Sequence, residues 1–134
     1  VSLFVDTSAF YALMVRSESA HAPVRQALSR ALEAGRSLST TSFVLVETMA
    51  LLQHRFGLPA ARDFDEELLP VVRVVWVDEL LYRAATDRLW REDRRSISLV
   101  DCVSFEFMKR EGLTTALAID PDFRTAGFSV LPAQ

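Results

Sequence analysis

Short apolar runs alternate with stretches of helical periodicity along this chain. Leu3–Val5, Leu38–Thr40, Val72–Val77, Thr115–Ile119 and Ser129–Leu131 are short, apolar and bounded by polar or turn-forming residues, the pattern of strands. Between them, apolar positions recur at three- and four-residue spacing. Thr7–Met14 predicts a short helix directly after the first strand, and Pro23–Ala34 a longer one stopped by Gly35. Ser42–Phe56 follows, with Thr41 or Ser42 as N-cap and Gly57 at its end. Pro59, tolerated in a first helical turn, opens a helix near Ala60–Leu69. Asp78 caps a helix reaching about Arg91. Ser98 caps the last long one, Leu99–Arg110, which Gly112 stops. Strands separated by connections of helical length predict one α/β domain over residues 1–134. Its expected architecture is a three-layer α/β/α sandwich with a mostly parallel sheet of four to five strands.

Four carboxylates interrupt this pattern. Asp6 ends the first apolar run and Asp120 ends the run Thr115–Ile119. In a parallel sheet both fall beyond the carboxyl ends of strands, where functional crevices lie. Glu47 has Phe43, Val44, Ala50 and Leu51 as helical neighbours and no Lys or Arg within a turn. Asp101 stands in the mostly apolar run Ser98–Val103. Each has a local reading as well. Asp6 is a good N-cap, Asp101 fits a capping box with Ser98, and Glu47 fits a snorkelling edge residue. Asp120 and the looser candidate Asp122 suit a turn around Pro121. Jointly, two strand ends and two helices would aim four acids at one crevice. Buried unpaired carboxylates are costly, and an all-carboxylate oxygen site suits Mg²⁺ or Mn²⁺ rather than zinc or copper. Without an ion, at least one carboxyl pKa is expected to rise.

Composition narrows the class. Half of the 134 residues are hydrophobic, enough for one substantial core. No apolar run is long enough to span a bilayer, and Val1–Val5 are too few for a signal peptide. The sequence starts without Met, as a trimmed terminus would. The single cysteine, Cys102, excludes an internal disulfide and a Cys-cluster zinc site, and reads as a buried inert thiol. These features predict a soluble cytoplasmic protein without a membrane partner. The net charge of −3 is unlike that of a nucleic-acid binder, yet fourteen of the fifteen basic residues are Arg, which matches phosphate geometry. Five arginines fall between Arg83 and Arg95, where Asp87, Glu92 and Asp93 also permit a plain solvated face. His21 and His54 read as surface or structural residues. Trp76 is expected in a core strand. Trp90 is expected at a helix or dimer contact, with RNA-base stacking the alternative.

Val5-Asp6-Thr7-Ser8-Ala9 resembles the opening motif of PIN-domain proteins. Thr41–Glu47, Ser98–Phe105 and Ala118–Phe123 with Gly127-Phe128 resemble the family's three later motifs, in order and across nearly the whole chain. The compact size is similar to that of VapC-type toxins of toxin–antitoxin pairs. The resemblance implies a Mg²⁺- or Mn²⁺-dependent endoribonuclease. Asp6 and Asp101 would be its firmest metal ligands, and Glu47 and Asp120 would complete the site. Thr7 and Ser104 would support those acids from behind. The family often has a polar residue where Pro121 stands, which leaves Asp122 as a rival to Asp120. The resemblance also implies an RNA substrate, a small antitoxin partner and a homodimer. Phe10–Met14 and Phe43–Leu52 offer the antitoxin a groove. A receiver domain is disfavoured because the sole Lys, Lys109, sits within a helix. A haloacid-dehalogenase-type phosphatase is disfavoured because Asp6-Thr7-Ser8 lacks a second Asp. A catalytically silent PIN module remains the alternative, and the presence of all four acids argues against it.

Overall fold

The computed structural model describes residues 2–133. β1 (Ser2–Val5) leads into α1 (Thr7–Met14) and α2 (His21–Glu33). β2 (Ser37–Thr41) leads into α3 (Ser42–Phe56) and α4 (Leu58–Asp63). A π-helical segment, Phe64–Leu68, and a 3₁₀ turn, Leu69–Val71, precede β3 (Arg73–Val75). Then come α5 (Glu79–Glu92), α6 (Leu99–Glu111), β4 (Thr115–Leu117), α7 (Asp122–Thr125) and β5 (Ser129–Leu131).

The strands form one all-parallel, five-stranded sheet in the order β3-β2-β1-β4-β5. Right-handed crossovers then place α1–α4 on one face and α5–α7 on the other. The aromatic core agrees with that layering. Phe4 of β1 meets Phe107 of α6 and Phe123 of α7, each at 5.9 Å between ring centroids. Phe10 of α1 meets Phe64 at 5.1 Å. Leu3, Phe4 and Val5 are all buried because β1 is covered on both faces. Strand order reverses direction at β1. Its carboxyl end, together with that of β4, is therefore the switch point where such sheets open a crevice.

The expected caps are present. Thr41 accepts from the Val44 N–H, Asp78 from Leu81 and Ser98 from Asp101, and Gly112 ends α6 with φ 71°. Three expectations need correction. Trp76 is 70% exposed and lies outside β3, an edge strand that stops at Val75 before the chain turns into the Asp78 cap. Trp90 is 69% exposed, so it does not pack between helices of this chain. The helix expected over Ala60–Leu69 starts at Leu58 and keeps α geometry only to Asp63. Pro70 has no N–H for an α-type bond, and the chain passes through π and 3₁₀ windings before reaching it. No helix among the described residues is long and apolar enough to cross a membrane.

Arg88 fastens α5 to α6, the helix that carries Asp101. Its Nη1 donates to Glu106 at 2.8 Å, its guanidinium sits 4.9 Å over the Phe105 ring, and both charged side chains are largely buried. Breaking one partner of such a pair leaves a buried charge. Arg88→Ala is expected to lower stability by roughly 3 kcal/mol, whereas Arg88→Met with Glu106→Leu should be near neutral, as urea unfolding will measure.

Candidate active site

Asp6, Thr7, Glu47, Asp101 and Asp120 line one open crevice of about 420 Å³ at the carboxyl ends of β1 and β4. Oxygens of Asp101, Asp120 and Asp122 lie within 4.8 Å of one another. Asp6 and Glu47 share the crevice without joining that triad. The four expected acids are therefore brought to one place, and Asp122 stands beside them. Glu47 is half-buried, at the border of the buried face of α3 rather than within it, because Ala50 on the next turn is exposed.

Backbone geometry positions each acid. The Asp6 N–H extends the β1–β4 ladder by donating to the Leu117 carbonyl at 3.0 Å. Its Oδ2 accepts from the Ser8 N–H at 3.1 Å and the Ser8 hydroxyl at 2.6 Å, capping α1. Asp101 forms the capping box with Ser98, its Oδ2 accepting at 3.4 Å. Asp120 Oδ1 accepts from the Asp122 N–H at 2.9 Å, an Asx turn. In all three residues one carboxylate oxygen serves the local fold, and the hydrogen bonds found leave the other uncommitted. Capping and ligation are thus compatible readings of the same side chains.

The electrostatics are those of crowded acids. Burial above all, with the charges of Asp101 and Asp120 adding to it, raises the Asp6 carboxyl to about 7 against the lowering effect of its Ser8 bonds. Asp101 is raised to about 6, first by burial, then by Asp120 and, more weakly, Glu47. Among the described residues, the only cation paired with a crevice acid is Arg94, whose Nη1 is 3.8 Å from Asp122 Oδ1. A divalent cation fits this donor set. It is hard, oxygen-seeking and of the charge the cluster lacks.

A PIN-domain model matches residues 3–129. The chain belongs to the PIN-domain family. It is 37% identical over 129 residues to the 23S rRNA-specific endonuclease VapC20 of Mycobacterium tuberculosis, covering 94% of this chain and 95% of that protein. The VapC20 crystal structure, described as a sarcin–ricin loop cleaving toxin, superposes with a TM-score of 0.82. VapBC2 from Rickettsia felis, bound to a DNA fragment from its promoter, gives 0.74 at 10% identity and covers 97% of each chain. FitAcB from Neisseria gonorrhoeae gives 0.70 at 16% identity, over 96% of this chain and 95% of that one. These last two bear on the fold alone.

Two supporting residues divide. Thr7 lines the crevice, while its Oγ1 is buried and has no hydrogen-bond partner in the fold. Ser104 is completely buried, and its hydroxyl donates back along α6 to the Val100 carbonyl at 3.1 Å. One turn beyond Asp101, its donor is consumed by its own helix rather than offered to the acids. The hydroxyl residue that does support one of them, Asp6, is Ser8. Beyond its bonds to Asp6, its hydroxyl accepts from the Ile119 N–H at 2.9 Å. The Asp-x-Ser spacing of an N-cap was the available signal. Cys102 is buried, burial pushes its thiol up to about 11, and it lies outside the crevice lining. His21 is structural, its Nδ1 2.7 Å from the Ala12 carbonyl, and His54 is exposed.

The raised carboxyls carry a stability cost with a defined pH window. The folded state holds the Asp6 proton more tightly than the unfolded chain. The penalty is absent below about pH 4, grows as pH rises, and is complete above about pH 7. Raising the group from 3.8 to about 7 corresponds to at most about 4 kcal/mol. Asp6→Asn keeps an oxygen for Ser8 and removes the charge. It is expected to raise the melting temperature of EDTA-treated protein at pH 8 by about 5 °C or more, and to change it little at pH 4, as calorimetry will measure.

Proposed function

We propose that this chain is a divalent-metal-dependent endoribonuclease that hydrolyses RNA phosphodiester bonds, and that it is the toxin of a toxin–antitoxin pair acting in the cytoplasm. The observation that carries the reading is the crevice itself. Three carboxylate oxygens lie within 4.8 Å, Asp6 and Glu47 stand beside them, and among the described residues one long ion pair, Arg94 to Asp122, reaches the cluster. A catalytically silent module would bear this electrostatic cost for nothing.

Asp6, Asp101 and Asp120 would hold Mg²⁺ or Mn²⁺ through their uncommitted oxygens, with Glu47 completing the site directly or through water. Asp120 is the better fourth acid, since it lines the crevice while Asp122 engages Arg94 at its margin. A cation bound there supplies Lewis acidity, easing ionisation of water and offsetting charge on the phosphate. The chain's own groups do the rest. Glu47, half-exposed and near the other acids, accepts the proton of the attacking water. The water oxygen bonds to phosphorus and the P–O3′ bond breaks with its electron pair going to O3′, which takes a proton from solvent, leaving a 5′-phosphate and a 3′-hydroxyl. Thr7, whose Oγ1 is buried without a partner, is the hydroxyl that a side-chain rotation would turn toward Asp6. The relative acting on 23S rRNA makes the sarcin–ricin stem-loop the first substrate to try. A small antitoxin would offer a basic side chain to the acids and lie along the groove of α1 and α3. A homodimer is the proposed assembly.

Purified protein with a ribosomal-RNA stem-loop should cleave in Mg²⁺ or Mn²⁺ and not in EDTA, leaving 5′-phosphate ends and no 2′,3′-cyclic product. Asp6→Asn and Asp101→Asn should each reduce the rate by roughly 100-fold or more while remaining folded. Undiminished cleavage in EDTA, or by either variant, would defeat the mechanism. Separately, millimolar Mn²⁺ at pH 8 should raise the melting temperature of the wild-type protein by several degrees and that of Asp6→Asn by much less. An equal shift in both would remove Asp6 from the ion's ligands.

A further inference from the structure

The crevice acids have the same sign as an RNA backbone, so an incoming strand needs protein cations at the rim. Arg94 is at that rim. Its Nη1 lies 3.8 Å from Asp122 Oδ1 and 3.4 Å from Ser96 Oγ, and its Nε 3.5 Å from Glu92 Oε2. All three contacts are longer than a closed guanidinium–carboxylate pair, about 2.7–2.9 Å. The side chain is 39% exposed. Arg88, on the preceding helix, is the opposite case, bonded to Glu106 at 2.8 Å and largely buried. One arginine is committed to the fold. The other is tethered beside the acids with N–H donors to spare.

The backbone aims it there. Asp93 adopts a left-handed conformation, φ 49°, uncommon for a residue with a side chain, and ends α5 with its N–H on the Leu89 carbonyl. Ile97, 4% exposed, anchors the far side of the turn. Between these two fixed points the chain leaves the helix and brings Arg94 to Asp122.

We infer that Arg94 is an RNA-backbone contact of this active site, its guanidinium moving from Asp122 onto a phosphate next to the scissile one and so orienting the strand across the acids. This rests on the ribonuclease reading above. The exchange costs little, because long, part-exposed ion pairs contribute little. A phosphate offers the planar fork a bidentate acceptor that Asp122 at 3.8 Å does not.

The test compares wild type, Arg94→Gln, Arg94→Lys and, as a control for bulk charge, Arg30→Gln, whose arginine lines a different cleft. The substrate is a labelled stem-loop RNA in Mg²⁺. Arg94→Gln should raise KM about 5- to 10-fold with kcat changed less than twofold, and flatten the slope of log(kcat/KM) against log[salt] by about one. Arg94→Lys should restore the slope but only part of the KM, and Arg30→Gln should leave both near wild type. A merely structural role would move melting temperature rather than the salt slope. Fluorescence anisotropy with the same RNA on the Asp6→Asn background reads binding without cleavage. If wild type cleaves and Arg94→Gln matches it in KM, salt slope and binding, the contact is overturned. If wild type does not cleave while Arg94→Gln still weakens binding, the contact stands and the nuclease reading falls. If neither cleavage nor an Arg94-dependent change in binding is seen, both fall.

Discussion

The junction of β1 and β4 is stitched together by two residues, Asp6 and Ser8. The Asp6 N–H closes the ladder onto Leu117, its carboxylate takes both Ser8 donors, and the Ser8 hydroxyl takes the Ile119 N–H. Two of these four bonds, Asp6 to Leu117 and Ile119 to Ser8, cross between the chain leaving β1 and the chain leaving β4, and the second joins residues 111 positions apart in sequence. The stitch holds Asp6 beside the chain that leads into Asp120, while Asp101 is placed separately by its capping box with Ser98. Without it the two strand ends could part, and the mutual repulsion of the acids would drive them to do so.

The fold holds like charges together by dividing the labour of each carboxylate. Asp6, Asp101 and Asp120 each commit one oxygen to a cap or turn. Those bonds fix the side chain's direction and recover part of the desolvation cost. The second oxygen is left to the crevice, where its charge raises a neighbour's carboxyl instead of finding a cation. A folded protein gains nothing from that second arrangement by itself. It makes sense as preorganisation, with the energetic cost met in advance so that an ion meets ligands already in place.

This double use explains what was legible in the sequence. Strand order could not be read, but strand ends could, because apolar runs stop abruptly at Asp6 and near Asp120. Helix caps were readable at Thr41, Asp78 and Ser98 because one side chain and one nearby N–H decide each of them. Convergence of the acids followed from the α/β alternation together with the family motifs. What stayed hidden depends on tertiary context. Trp76 looks like core by composition, and only the edge position of β3 exposes it. Ser104 looks like support for Asp101 by spacing, yet its hydroxyl finds the Val100 carbonyl first. Ser8 looks like part of a routine cap, and its bond to Ile119 is invisible until β4 is known to lie beside β1.

Net charge misleads for the same reason. The chain's −3 seems ill-suited to a polyanionic substrate. Six acids gather at the crevice, with Asp6, Glu18, Glu47, Asp101 and Asp120 lining it and Asp122 at its margin. Setting those six aside from −3 leaves +3 for everything else. The rest of the chain is therefore mildly cationic in sum, and a divalent ion in the crevice would move the whole further in that direction. Arginine placement, more than the total, then decides affinity. Arg88 contributes to the fold, and Arg94 is among those near enough to the acids to contribute to recognition. A protein can be acidic overall and still present RNA with a positive approach, provided its negative charge is gathered where a cation is meant to sit.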